Sequence, residues 1–186
     1  MRHALLLLPM FGLLASGCFP KHVGVQAPTK MDIEVVPAVT YADRPEVTGV
    51  PDELAEALIG TLSSRNLTPT VMDTSTFAEP FAAKRNSLHR LTWLAGELRG
   101  TDLLLLVELS PRYFSLLSGR YRWTVDATLT LTDPADLEAA LTTEVKFPIF
   151  MDFHHEREDE VLAASIPLLE RHLGFLLDEY LGGMGE

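Results

Sequence analysis

Between residues 31 and 181 the apolar positions change their period several times, and each change predicts an element. Ile33-Glu34-Val35-Val36-Pro37-Ala38-Val39 is rich in β-branched residues and predicts a first strand. Pro37 lacks the N–H that a ladder needs, which places it at an edge or a strand end. Pro51-Asp52-Glu53 then opens a helix, with proline in the first turn and acids at the positive end of the dipole. Leu54, Leu58 and Leu62, with Ala55 and Ile59, form its buried stripe. Asn66 closes that helix, and Leu67 to Met72 predicts a second short strand. Lys84 to Arg99 reads as a second helix with Leu88, Leu91, Leu94, Ala95 and Leu98 on one side, and Gly100 supplies a left-handed stop.

The second half of the domain changes character. Thr101-Asp102-Leu103-Leu104-Leu105-Leu106-Val107 is apolar without alternation, the pattern of a central strand buried on both faces. From Tyr121 to Leu131 apolar and polar residues alternate, which predicts a long strand with one wet face. Asp133-Pro134 turns the chain, and Thr143 to Phe153 alternates again, so the last three strands form an antiparallel meander. A final helix spans about Arg157 to Leu181 and ends at Gly182-Gly183; Pro167 should kink or split it. The order is β-α-β-α-β-β-β-α. It predicts an α+β fold, a mixed sheet ending in an antiparallel meander with helices packed on one face.

The amino-terminal segment follows other rules. Arg2 and His3 precede an apolar run from Ala4 to Leu14, then come Ala15, Ser16, Gly17 and Cys18. Basic, apolar and small residues in that order are the layout of a cleaved export signal. The run falls well short of the roughly twenty apolar residues of a bilayer-spanning helix. Leu14-Ala15-Ser16-Gly17-Cys18 resembles the bacterial lipobox, although Ala15 stands where leucine is commonest. The resemblance implies cleavage before Cys18 and diacylglycerol on its sulfur. The alternative is ordinary cleavage nearby, leaving a lone thiol in an oxidising compartment. Cys18 is the only cysteine, so no internal disulfide can form. Phe19, where the sorting pattern of inner-membrane retention has aspartate, implies the outer membrane of a Gram-negative envelope. Residues 1–17 are thus read as a lipoprotein signal peptide, 18–30 as the lipidated cysteine and an extended Pro- and Gly-containing tether, and 31–186 as a periplasmic domain.

Charge narrows the partners. Removing residues 1–17 from 186 leaves 169, and losing Arg2 takes 15 basic residues to 14 against 26 acidic, a net of −12. Such a surface repels nucleic-acid phosphates, so nucleic acid is not an expected partner.

Gly100-Thr101-Asp102-Leu103-Leu104-Leu105, running into a meander that turns at Asp133, resembles a group of envelope proteins. These are the penicillin-binding-protein activator lipoproteins, the curli-secretion lipoprotein and the amino-terminal domain of the Tol-Pal system's propeller protein. The likeness covers roughly residues 31 to 181. It implies action by binding protein partners or by assembling, without catalysis.

Candidate chemistry is sparse. His154-His155-Glu156 with Glu158, Asp159 and Glu160 carries metal-ligating types, but adjacent strand residues point to opposite faces and no His-Glu-x-x-His spacing occurs. A solvated strand-to-helix junction is the better reading, and no metal and no cofactor beyond the lipid on Cys18 is expected. No Gly-x-Ser-x-Gly or phosphate-cradling loop is present. Ser118-Gly119 belongs to a hairpin turn, and His89 and His172 lie on helices. Arg112, Tyr113, Phe114, Arg120 and Arg122 surround the turn between the third and fourth strands, and arginine with aromatics is the composition that interfaces favour. Alternatively the aromatics fill the core and the arginines are wet-face charges. The expectation is a non-enzymatic, membrane-anchored interaction or assembly module with an envelope protein partner. Rival readings are a carrier of a small hydrophobic ligand such as a lipid, and a cell-wall hydrolase using Glu144 and Asp152.

Overall fold

The computed structural model describes residues 30–41, 43, 45–98, 100–117, 120–151 and 157–183. The signal segment, Cys18 and the tether lie outside them. Ten elements occur in the order β1 (Met31–Thr40), β2 (Val47–Thr48), α1 (Asp52–Ser63), β3 (Leu67–Val71), α2 (Thr74–Ala83), α3 (Ser87–Glu97), β4 (Leu103–Leu117), β5 (Arg120–Asp133), β6 (Asp136–Met151) and α4 (Glu158–Gly183).

One mixed sheet organises them, with path β2-β1-β4-β5-β6 and β3 beside β1. β1 runs parallel to β3 and to β4, and β4, β5 and β6 form the antiparallel meander. The expected α+β architecture is therefore present. Every residue from Leu103 to Leu109 is buried. Odd-numbered residues of β4 join Leu54, Leu58, Leu169, Leu173 and Leu177 in the main core, so α1 and α4 cover that face. Leu104 and Leu106 point the other way and meet Phe77, Phe81, Leu91 and Leu94 of α2 and α3. On the sheet the buried members of this second cluster come from β1 and β4, with Val47 of β2 and Leu137 and Ala140 of β6 packed partly buried against it. The opposite face of β5 and β6 carries the polar half of their alternation.

Local chemistry explains the elements. α1 begins after Pro51 with Asp52 and Glu53 in its first turn, and Asn66 adopts φ 67° just beyond it, as a closing asparagine should. The sequence reading passed over β2 and α2. α2 is short; Asp73 caps it by accepting the Ser75 N–H at 2.7 Å, and its buried stripe is only Phe77 and Phe81, one turn apart. α3 starts at Ser87 rather than Lys84, because the Asn86 side chain accepts the Leu88 N–H at 2.8 Å. Leu88, expected in the stripe, is exposed; Arg90 takes a buried place instead.

Two boundaries also move. β4 continues through Pro111 to Leu117, and β6 starts at Asp136, so both strands are much longer than the apolar runs within them. α4 is one continuous element through Pro167. Pro167 sits on its exposed side, where water can serve the carbonyl that loses its donor. Asp102, which follows Gly100 (φ 87°), accepts the Asp32 N–H at 2.9 Å. The Gly-Thr-Asp stretch thus has a structural role: it turns the chain into β4 and ties that strand to the start of β1.

Candidate functional site

Two features stand out, one at an end of the sheet and one on its polar face. The first contains the residues singled out in the sequence. They do not surround a loop; Arg112, Tyr113 and Phe114 lie on β4, and Arg120 and Arg122 on β5. Tyr113 pairs with Trp123 across the hairpin, and the register then shifts so that Ser115 faces Arg122. This bulge leaves Phe114 as the extra residue, a device that re-aims a side chain. The Arg122 guanidinium lies over the Phe114 ring, 4.6 Å from its centroid. Tyr113 packs on Trp123 (5.4 Å between centroids) and Tyr121 (6.1 Å).

These aromatics are only partly core. Tyr113 is 50% exposed and Phe114 67%, and Phe150, which pairs with Arg122 from β6, is 51% exposed. Arg112 is exposed and ion-paired with Asp126 at 3.3 Å; Arg120 is exposed at the start of β5. Trp123 Nε1 and Arg122 Nε are buried without a hydrogen-bond partner among the described residues. The patch lies at the far end of β4 from Leu103, whereas β1 starts beside Leu103. The chain arriving from the tether and the aromatic patch are thus at opposite ends of the sheet.

The second feature was not anticipated. Where α3 ceases to cover the sheet, an open cleft of about 440 Å³ lies between that helix and the polar face of β4, β5 and β6. Its inner wall is an ion pair between Arg90 and Glu108, whose side chains are only 8% and 7% exposed. Arg90 also donates from Nη2 to the Phe81 carbonyl at 2.9 Å and lies over the Phe81 ring. Its Nε donates to the Lys84 carbonyl. Glu108 Oε1 takes the Arg90 donor, while Oε2 is buried without a partner among the described residues. Thr128 stands opposite Glu108, and Glu144 opposite Thr128, in one row across three strands. The neighbouring row holds Ser110, Asp126 and Lys146, with Lys146 4.0 Å from Asp126. Two signals for this site were present in the sequence: Glu108 is an acid at the end of an apolar run, and Arg90 occupies a stripe position one turn before Leu94.

The remaining candidates fall into two groups. His154, His155, Glu156, Asp152, Ser118 and Gly119 lie outside the described residues. Glu158, Asp159 and Glu160 form the first turn of α4, the dipole-stabilising position. Glu144 is exposed, and His172 packs on Phe147 and Phe175. Among the described residues no group of three or more histidine, cysteine, aspartate or glutamate side chains is placed to hold a metal ion, and no helix is long and apolar enough to cross a membrane.

No family model matches this chain, and no curated protein sequence does either. Several solved structures are distantly similar. Lipoprotein GNA1162 from Neisseria meningitidis is 15% identical with a TM-score of 0.38, over 77% of this chain and 97% of that one. PelC from Paraburkholderia phytofirmans, solved as a dodecamer, is 14% identical with a TM-score of 0.43, over 79% and 87%. Lipoprotein B from Nitrosomonas europaea is 11% identical with a TM-score of 0.37, over 86% and 96%. Likenesses this remote carry no argument about site or function.

Proposed function

We propose that this chain is an envelope lipoprotein, held through lipid on Cys18 at the periplasmic face of the outer membrane, that docks an envelope protein without catalysing a reaction. The docking surface is the aromatic and arginine end of the β4–β5 hairpin with the adjoining end of β6. One observation carries this reading: Phe114 and Phe150, each more than half exposed, flank Arg122 on one face of the hairpin end, and half-exposed Tyr113 emerges on the other face against Tyr121 and Trp123. Rigid aromatics beside arginine supply contact area at low entropic cost, which is why they dominate binding hot spots. The address rests on the Leu14 to Cys18 stretch and Phe19.

A photoreactive amino acid at position 114 or 150, in intact cells, tests the surface. Both positions should crosslink one discrete protein, and the same probe at Leu88, exposed on α3, should not. Equal capture from all three positions, or none from 114 and 150, overturns the docking reading. Metabolic labelling with palmitate tests the anchor separately: the wild type should incorporate label and Cys18→Ser should not.

A further inference from the structure

We propose that the cleft beside α3 binds a small zwitterion, a peptide of two or three residues. Its ammonium group is taken by Glu108 and Glu144, and its carboxylate by Arg85, Arg112 and Lys146. This goes beyond the docking role: the cleft lies on the same polar face as Phe114 and Phe150, farther from the hairpin end, and Arg112 stands between the two.

Glu108, Thr128 and Glu144 form the accepting side of the cleft. Glu108 lines the cleft, and its Oε2 is buried yet accepts nothing from the described residues, while Oε1 is held by Arg90. A buried carboxylate oxygen is costly to leave without a donor. Thr128 lies next to it in the row and Glu144 beyond, both lining the same cleft. Both glutamates are long enough to reach a group seated over Thr128. Two carboxylates flanking a hydroxyl in one row suit a group with several donors and a positive charge, which an ammonium supplies.

The donating side lies one row along. Arg112 and Lys146 both pair with the single carboxylate of Asp126. Arg85 lines the cleft from the α3 side. The lining holds four cations, Arg85, Arg90, Arg112 and Lys146, against three carboxylates, Glu108, Asp126 and Glu144, so the cleft is net positive although the whole chain carries a net charge of −11. The two rows are separated by two strand residues, as from Glu144 to Lys146, or about 7 Å. The termini of an extended dipeptide are separated by roughly the same 7 Å. Opposite charges at that spacing match a short peptide with both ends free.

The full chain in detergent micelles, titrated with alanyl-alanine and followed by backbone amide shifts, tests the proposal. Alanyl-alanine should saturate and shift residues of the Glu108, Thr128 and Glu144 row. N-acetyl-alanyl-alanine should bind about ten-fold more weakly or worse, having lost the ammonium. Glu144→Gln, an exposed change that leaves the Arg90 pair intact, should weaken alanyl-alanine similarly, and Lys146→Gln should erase the preference over alanyl-alanine amide. Shifts that never saturate, or equal binding of the acetylated and free peptides, overturn it. None of these variants touches Tyr113, Phe114 or Phe150, so the docking surface and the cleft fail or succeed independently.

Discussion

The Arg90–Glu108 pair shows how unequal the two halves of a buried ion pair can be. Arg90 serves two carbonyls, a carboxylate and the Phe81 ring, whereas Glu108 serves Arg90 alone through one oxygen. Removing one partner of such a pair costs about 3–5 kcal/mol, because a charge is left buried and uncompensated. Arg90→Met should therefore cost the larger share, measured by urea denaturation, since the Phe81 and Lys84 carbonyls lose their donor as well. Glu108→Leu should cost less, and adding it to Arg90→Met should recover part of the loss. Equal costs for the two single variants would contradict this account. Asp178 offers a pH handle. Arg65 donates to it at 3.0 and 3.3 Å and holds its carboxyl below the ordinary 3.8. A group lowered on folding binds fewer protons folded than unfolded. Its contribution is present above the unfolded value and is lost as pH falls through the folded one, below about pH 4. Asp178→Asn should flatten that acid limb in thermal melts. Burial pushes Glu34 up instead, so that residue acts in the opposite sense, and its penalty eases as the medium becomes acidic.

At the scale of elements, α2 carries more than its length suggests. Phe77 and Phe81 are fully buried, meet as tilted rings 5.1 Å apart, and Phe81 meets Trp93 edge-on at 6.0 Å. Phe81→Ala should destabilise the fold by about 3–5 kcal/mol, read from the denaturation midpoint at unchanged slope. A smaller effect with a shallower slope would instead mean that α2 and α3 come off as a separate unit. The sequence conveyed β1, α1, the central strand, the meander and α4 because each presents several apolar residues at one sustained period. α2 presents two, which no period can distinguish from chance. The ends of β4 and β6 were obscured for another reason: their outer residues are ordered by pairing with β5 rather than by burial. Of the candidate sites, the aromatic residues of the hairpin were visible as composition. The cleft itself was not, although Arg90 and Glu108 stood out within apolar patterns, since it exists only where α3 lies alongside β4, β5 and β6 together.

For the whole molecule, the sheet divides the labour between two faces and two ends. One face is core along its full width under α1 and α4; the other is core over β1 and β4, with Leu137 and Ala140 of β6 at its margin, and polar over the rest of β5 and β6. The tether side and the exposed aromatics mark the two ends, joined by the fifteen residues of β4, about 45 Å at strand spacing. If lipid fixes one end, the hairpin works as a ruler that sets how far from the bilayer a partner is met. The ruler has graduations of two. Deleting two residues from each arm of the hairpin removes two rows and should draw the patch about 7 Å toward the anchored end, with every side chain still on its own face. Deleting one from each arm shortens the reach by half as much but exchanges inside for outside beyond the cut, and the truncated chain should then fail to crosslink at any distance.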